Sequence, residues 1–552
     1  MTALFKSGVL VLTYRPKLTF LQKILTEAAK CVNKTLYVDL LTTSLAQPAS
    51  LPTGTRSGGN VLNIREFYNF MSEVYKNAAE LCAGIDVRVL LPPAGLGSVP
   101  RSTSRPIELC IGNTSSIRNL MEFEHVVSSR YVFHNGRFHL KYVHAGDDLK
   151  VHADIQNDPP EGQILDDTQR KFNTYPGVVI GGTFDKIHNG HKILIGTAAL
   201  CAEKKLTVGV ADGPLLEGKI LEELIEPVDY RIGNVEDLIE DMKPGLVKKV
   251  VAIEEPAGPS GTDDDLQLLV ISQETIKGGQ YVNDTRKSND LHPLEIFAID
   301  MLDGDNSDLA VDLQSQNKLS SSGERIRELG LLRKEPKLLP RNKPYVIGLT
   351  GGIASGKSSV TRRLQKLGAS AINCDKLGHQ AYLPGARAYE KLIDEFGESI
   401  LNEDNTVNRR ALGSIVFSDR KKLDRLNEIV WPEIASMVQE KLRKMAEDGI
   451  KVCVIEAAVL LEAGWDNLVN EVWVTSVPVG EAVKRIIERD GFNDTQARVR
   501  IESQMKSADR ISRSHVVIST LWEPEFTQKI VEKAWKSLVD RAEDAKKKPS
   551  FL

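Results

Sequence analysis

The chain has 552 residues, 41% apolar and 26% charged, with 71 Lys and Arg against 75 Asp and Glu for a net charge of −4. That length predicts about three or four domains, and the composition excludes collagen-like, low-complexity and wholly disordered chains. The charge balance leaves no electrostatic footprint for duplex nucleic acid, six cysteines without a CxxC pair speak for a reducing compartment, and no apolar run reaches the roughly 18–20 residues that span a bilayer.

The chain opens with MTALFKSGVLVLTYRPK, where Lys6 and Arg15 flank a short apolar stretch. This could be an organelle-targeting or membrane-surface signal, but Gly8–Tyr14 lacks a helical period and reads better as a buried first strand. Strands at Val9–Thr13, Thr35–Leu41 and Asp86–Leu91 alternate with helices at Leu18–Val32 and Arg65–Cys82, which predicts a doubly wound α/β layer. No phosphate-binding or catalytic signature appears in residues 1–145, so this segment is expected to be structural, regulatory or partner-binding. Residues 146–174, rich in Asp, Gly, Pro and Asn, read as a linker.

The second domain is expected over 175–332. Val178–Ile180 is an apolar strand, Gly181 and Gly182 permit a tight turn, and His188-Asn189-Gly190-His191 opens a helix. Two histidines three apart at a helix start share one face with unpaired backbone N–H groups and the positive end of the helix dipole. That is an anion site suited to nucleotidyl transfer: donors can stabilise charge on an α-phosphate while pyrophosphate leaves, and no protein nucleophile is required. A zinc pair, which would need a third ligand, and a satisfied surface histidine pair are the competing readings. Farther on, LSSSGERIR places three hydroxyls and Arg325 at another helix start, where serines either cap the helix or help hold a triphosphate.

Residues 333–344 carry three prolines and read as a second linker, leaving 345–552 as the third domain. Tyr345–Leu349 is a strand, followed by Gly351-Gly352-Ile353-Ala354-Ser355-Gly356-Lys357-Ser358 and a helix over Ser359–Leu367. This is GxxxxGK[ST] in its strand–loop–helix setting. Successive N–H groups cradle phosphate, Lys357 reaches the β- and γ-phosphates, and Ser358 offers a hydroxyl to Mg²⁺. Asp375 follows the next strand, Ala369–Cys374, and either takes the proton of a sugar hydroxyl, holds Mg²⁺ through water, or caps a helix. Arg485 and Arg489 lie four apart on one helix face, either a solvated surface or a lid that closes on phosphates.

GTFDKIHNGH followed by SSSGER resembles the signatures of the nucleotidyltransferase superfamily, and the span around Tyr175 to Gly330 is similar to eukaryotic phosphopantetheine adenylyltransferase. The resemblance extends through LTVGVA, EEPAGPSGTDDD and LLVISQETIKGGQYVNDTR. It implies catalytic roles for His188 and His191, ATP contacts for Gly182, Thr183, Phe184, Ser320, Ser321, Ser322 and Arg325, a phosphate contact for Lys219 and a substrate contact for Arg286. Tyr345 to Ala534 resembles dephospho-coenzyme A kinase through IGLTGGIASGKS, INCDKLGHQAY, EFGESIL, VNRRALGSIVFSD, VIEAAVLLEAGW and ARVRIESQM. This second resemblance implies that Asp375 is the catalytic carboxylate, that Arg409 lies in the substrate region and that Arg485 or Arg489 is a lid arginine. Trp431-Pro432, Glu456 and Ser519-Thr520 depart from the family pattern.

The expected architecture is therefore an α/β N-terminal domain, a nucleotidyltransferase-type Rossmann-like domain and a P-loop kinase domain. The pairing resembles the bifunctional animal family that completes coenzyme A: ATP and 4′-phosphopantetheine give dephospho-coenzyme A and pyrophosphate, then a second ATP phosphorylates the ribose 3′-hydroxyl. ATP is co-substrate, with Mg²⁺ expected at both sites. The resemblance also implies residence in the cytoplasm or at mitochondria, in the matrix or on the outer membrane, with membrane or signalling partners through the N-terminal domain. Two rival readings are an adenylyltransferase–kinase fusion acting on nicotinamide nucleotides and a scaffold that only binds nucleotides.

Overall fold

The structure, a computed structural model, describes residues 4–12, 15–41, 64–92, 100–113, 120–133, 136–143, 173–299, 320–337, 339, 344–417 and 419–547. The chain divides into two compact units, Met1–Glu324 and Arg325–Leu552. The proposed linker over 146–174 falls almost wholly outside the described residues.

The first unit holds two parallel sheets. The N-terminal one is built from β1 (Phe5–Leu12), α1 (Leu18–Ala29), β2 (Val32–Leu40), α2 (Ile64–Leu81), β3 (Asp86–Leu90), β4 (Leu109–Asn113), α3 (Leu120–Arg130) and β5 (His139–Val143), in the strand order β3-β2-β1-β4-β5. The N-terminal stretch is thus a strand, starting at Phe5, and Val9, Leu10 and Val11 are fully buried at the centre of the sheet. Parallel strands covered on both faces take unbroken apolar runs, which is why this one was readable.

The second sheet comes from β6 (Tyr175–Gly182), α4 (Asn189–Cys201), β7 (Ala202–Ala211), α5 (Val228–Met242), β8 (Val247–Ile253), β9 (Leu268–Ser272), α6 (Ile276–Ser288) and β10 (Glu295–Ile299), ordered β10-β9-β6-β7-β8. Both sheets place the first strand in the middle, the second and third on one side and the fourth and fifth on the other. They share one topology. They also share one core: a continuous apolar cluster runs from Leu10 and Met71 to Ile180, Ile195 and Met242. The sequence treats the two as separate domains, but the fold packs them as one unit.

The helix α7 (Ser321–Glu328) follows. In the second unit, β11 (Tyr345–Gly351), α8 (Lys357–Lys366), β12 (Ser370–Asn373), α9 (Cys374–Gln380), α10 (Arg387–Phe396), α11 (Arg409–Phe417) and α12 (Arg420–Glu447) are succeeded by β13 (Val452–Glu456), β14 (Glu471–Ser476), α13 (Val479–Asp490), α14 (Asp494–Glu502), α15 (Ser507–Ser512), β15 (Val516–Ser519) and α16 (Pro524–Lys547). The parallel sheet runs β12-β13-β11-β14-β15. The described part of the proline-rich 333–344 segment is pinned to this unit. Arg333 donates from its backbone to His515 O (2.8 Å) and from Nη1 to Ile511 O (2.9 Å), while Lys337 and Asn470 exchange two bonds of 2.9 and 2.8 Å. Proline bars a helix but not an extended strap that finds acceptors elsewhere.

In both the second and third sheets the strand order reverses at the central strand. Its C-terminal end is the switch point where open α/β sheets receive ligands. Among the described residues no helix is long and apolar enough to cross a membrane.

Candidate active sites

The loop leaving β6 is held from behind by Arg231 on α5, which is fully buried. Its Nη1 donates to Thr183 O (2.8 Å) and Ala211 O (2.7 Å), its Nε donates to Glu226 O (2.7 Å), and its Nη2 pairs with Asp212 (3.1 Å). Phe184 and Lys186 both adopt left-handed backbone with φ of 49°. Non-glycine residues persist there only where the surroundings over-determine them, and Arg231 together with the Asp185 carboxylate, which accepts from Glu226 N (3.0 Å), does so here. Phe184 was expected among the ATP contacts. Its ring is instead fully buried beneath Gly182, where a Cβ would meet it at 3.2 Å, so its side chain shapes the loop rather than facing ligand.

His188 is the N-cap of α4, and its Nδ1 accepts from Gly190 N (3.2 Å), which places the ring proton on Nε2. The His191 ring stacks on it with centroids 4.0 Å apart and packs against Phe184 on its other side at 5.3 Å. His191 Nδ1 is buried without a hydrogen-bond partner. A buried orphan nitrogen is costly to keep and calls for an explanation. Burial, reinforced by the neighbouring His188, holds the His191 pKa well below the ordinary histidine value, so the ring is neutral at pH 7. The pair therefore offers neutral donors at a helix start, without like-charge repulsion between the rings.

The serine motif is brought to the same loop across 136 residues of sequence: Ser321 Oγ donates to Asp185 O (2.9 Å). Ser320 Oγ accepts from Gly323 N (3.1 Å), the capping role considered for these serines. Ser322 is half-buried beside it, and Arg325 is buried on α7. Lys219 is exposed on the turn after residues Gly213–Leu216. Arg286 is a correction. It is buried, and its Nε and Nη1 are spent on the carbonyls of His292 (2.6 Å), Ser260 and Asp263 (both 2.8 Å), so it braces a loop and does not reach substrate.

In the second unit the P-loop leaves β11 at Gly351. A Cβ there would lie 2.2 Å from Thr475 Oγ1, so no other residue fits. Gly356, with φ of 84°, turns the chain into α8 with no side-chain cap, leaving the helix start to its backbone donors. Lys357 Nζ donates to the carbonyls of Gly351 (2.8 Å) and Gly352 (3.0 Å). Burial lowers its pKa to about 8, against the pull of Asp375. The Ile353 N–H is engaged by Gln504 Oε1 (2.8 Å), so this one amide of the loop is anchored by protein.

Asp375 does not end a strand. β12 stops at Asn373, and Asp375 lies in the first turn of α9. The N-cap is Asn373, whose side chain accepts from Lys376 N (2.9 Å), so the competing structural role belongs to a neighbour. The Asp375 side chain reaches the surface, yet partial loss of water around it, together with Glu456, raises its pKa against the opposing pull of Lys357. His379, one turn later on α9, lines a cavity of about 370 Å³ together with Tyr382, Asn408 and Arg409. Arg409 thus shares a cavity with His379, which lies on the same helix as Asp375.

Glu456 appeared in the sequence only as a departure. It is buried at the end of β13 and accepts from Ser358 Oγ (2.6 Å). Thr520, the second departure, accepts from Arg485 Nη1 (2.9 Å) and donates to Ser355 O (3.0 Å). Arg485 also reaches Thr520 O (2.6 Å) and Ala354 O (3.3 Å), while Arg489 is exposed and pairs with Asp490. The two lid candidates are therefore unequal: Arg485 touches the P-loop. Trp431 and Pro432, the third departure, line a cavity of about 310 Å³ with Trp465, and nothing in the structure explains their choice.

Residues 345–521 match the family model described as dephospho-CoA kinase, 179–329 match cytidylyltransferase-like, and 6–137 match COASY N-terminal domain. The chain is 40% identical over 190 residues to a dephospho-CoA kinase of Geobacter sulfurreducens, covering 34% of this chain and 96% of that protein. It is 42% identical over 183 residues to the dephospho-CoA kinase of Carboxydothermus hydrogenoformans, covering 33% and 89%. Among solved structures, TT1252 from Thermus thermophilus is 27% identical, covers 36% of this chain and 98% of its own, and gives a TM-score of 0.32. These matches do not favour the nicotinamide or scaffold readings. Through its C-terminal third the chain belongs to the dephospho-CoA kinase family, and with the cytidylyltransferase-like and COASY N-terminal domains it is a bifunctional enzyme of coenzyme A synthesis, adenylyltransferase and kinase in one polypeptide.

Proposed function

We propose that His188 and His191, with the N–H groups at the start of α4, hold the α-phosphate of ATP while the phosphate of 4′-phosphopantetheine attacks in line and pyrophosphate leaves. The reading is carried by the stacked pair at the end of the central strand, with a buried, unpartnered Nδ1 on His191. Two neutral donors fixed before the reaction can stabilise charge that grows on the phosphate without reorganising. The hydroxyls of Ser321 and Ser322, with Arg325, would hold the leaving phosphates.

In the kinase unit, the P-loop amides and Lys357 would grip the β- and γ-phosphates, and Asp375 would take the proton of the ribose 3′-hydroxyl. A carboxylate with a raised pKa accepts that proton more readily. Arg409 would hold substrate, and Arg485 would close on the phosphates. Ser358 and Glu456 are hard oxygen donors already within bonding distance of each other, which fits Mg²⁺. Bound there, the ion would neutralise charge on the β- and γ-phosphates.

His191→Ala is expected to abolish pyrophosphate release from ATP and 4′-phosphopantetheine while ADP release with dephospho-coenzyme A continues. Full turnover by this variant would remove the histidine assignment. Residence at mitochondria rests on the family resemblance. Because β1 and α1 belong to the core, imaging must use the intact chain, and a diffuse signal excludes it.

A further inference from the structure

The N-terminal sheet, in whose segment the sequence shows no phosphate-binding or catalytic signature, is packed onto the helix that carries the histidines. Asn189, which stands between His188 and His191 in the motif, donates from Nδ2 to the Tyr75 carbonyl on α2 (2.9 Å). Lys192, the residue after His191, is 4% exposed and gives its ammonium to Asp86 Oδ1 (2.7 Å) and the Val87 carbonyl (2.8 Å) on β3. Gly196, one turn farther on, approaches α2 so closely that a Cβ would lie 2.4 Å from Met71 Sδ. Asp86 is itself held by Arg88 Nε (2.9 Å). Arg88 also pairs with the fully buried Asp241 on α5 (2.5 Å), which accepts from Ser104 N (2.5 Å) and Ser104 Oγ (2.7 Å) as well.

Residues 189, 192 and 196 are spaced to lie on one face of α4, and His188 and His191 lie one residue back on the adjoining face. Anchors at three successive turns fix both the rotation of the helix and its sliding along its axis. A buried ion pair is a weak source of stability, and its best-attested use is to set register. Here the pair joins the residue beside a histidine to a strand of the N-terminal sheet.

We propose that the N-terminal domain is the positioning partner of the adenylyltransferase site: Asp86 and the Tyr75 carbonyl, through Lys192 and Asn189, hold α4 at the setting that presents His188 and His191 to the transferring phosphate. This rests on the assignment of those histidines to the reaction. Asp86 and Asn189 are positioning residues, not catalytic ones. Displacing donors from a preorganised phosphate site lowers turnover more than substrate binding.

The test compares Asn189→Ala, Asp86→Asn and Asp86→Glu in the full chain. Asn189→Ala removes one hydrogen bond from the rim and should fold. Its kcat for pyrophosphate release is expected to fall about tenfold, with KM for ATP changed less than about twofold. Its unfolding midpoint and kinase turnover should be unchanged. Asp86→Asn should lose more, and Asp86→Glu should recover part of the loss. If Asp86→Asn does not fold, Asn189→Ala decides alone. Retention of adenylyltransferase kcat by Asn189→Ala and by any folded Asp86→Asn overturns the proposal. His191→Ala, run in parallel, separates the two layers: if it is inactive while the others are fully active, only the positioning role fails, and if it is active too, the site assignment beneath it fails.

Discussion

The helix starts of α4 and α8 solve one problem in two ways. Each follows the central strand of a parallel sheet, at the point where strand order reverses, and each presents unpaired N–H groups to an anion. At α4 the cap is a side chain: His188 satisfies the Gly190 amide and stacks on His191. At α8 there is no side-chain cap, only Gly356 in the left-handed region and a lysine folded back on two loop carbonyls. Neutral rings suit charge that develops at the α-phosphorus, and a cation over an amide cradle suits the β- and γ-phosphates. The two helix starts thus differ in the group set beside them: the Lys357 ammonium at α8 against the stacked His188–His191 pair at α4.

The largest break in this comparison comes from removing that charge. Lys357→Ala is expected to cut ADP release with dephospho-coenzyme A by about 10²–10³-fold while pyrophosphate release from the first site stays at the parent rate. Equal losses at both sites would mean that the two do not act separately. Glu456→Gln sharpens the same point. It leaves Ser358 a neutral partner, so the Mg²⁺ concentration needed for half-maximal kinase activity should rise about 10–100-fold. An unchanged Mg²⁺ titration would show that Glu456 only orients the serine.

How much of this was legible depended on whether the physics was local. The strands were readable because parallel, doubly covered strands are unbroken apolar runs, and the phosphate loops because glycine, histidine and lysine at fixed short spacing carry their own chemistry. Arg231, Gln504 and Glu456 were not, because an ordinary arginine, glutamine or glutamate gains its role only from what the fold sets beside it. The contact of Glu456 with Ser358 spans 98 residues and that of Asp86 with Lys192 spans 106. The union of the first two sheets was hidden for the same reason, since Met71, Gly196 and Met242 meet only in the folded chain. Arg286 misled because a basic residue near a motif suggests ligand, whereas its donors meet carbonyls.

The two lid candidates give a smaller test. Arg485→Ala loses bonds to Thr520 and Ala354 and is expected to lower kinase kcat/KM for ATP about tenfold. Arg489→Ala, which loses only an exposed pair with Asp490, should change it less than about threefold. The reverse ranking would make Arg489 the residue that closes on phosphate.

The mildest effect separates the sites by pH. Lys357 has a pKa of about 8 because burial strips water from the ammonium faster than Asp375 compensates. Phosphate binds the protonated form, so ATP affinity at the kinase should be level below about pH 7, weaken about twofold by pH 8 and about fivefold more by pH 9, as the free enzyme loses the proton that the complex keeps. Lys357→Arg, charged throughout that range, should abolish the slope even where turnover suffers. His191 is lowered by burial as well, but it titrates on the acid side of neutrality. Its folded pKa lies well below the ordinary value, so it is neutral both folded and unfolded above about pH 6.5, and the first site should show no such slope between pH 7 and 9. Below about pH 6.5 the unfolded chain takes up a proton that the folded ring refuses, so the first unit should lose stability on acidification. Unfolding midpoints of the parent and His191→Gln, followed from pH 7.5 to 5.5, read this directly: the glutamine variant should fall less steeply, and parallel curves would mean that the ring takes up its proton without cost.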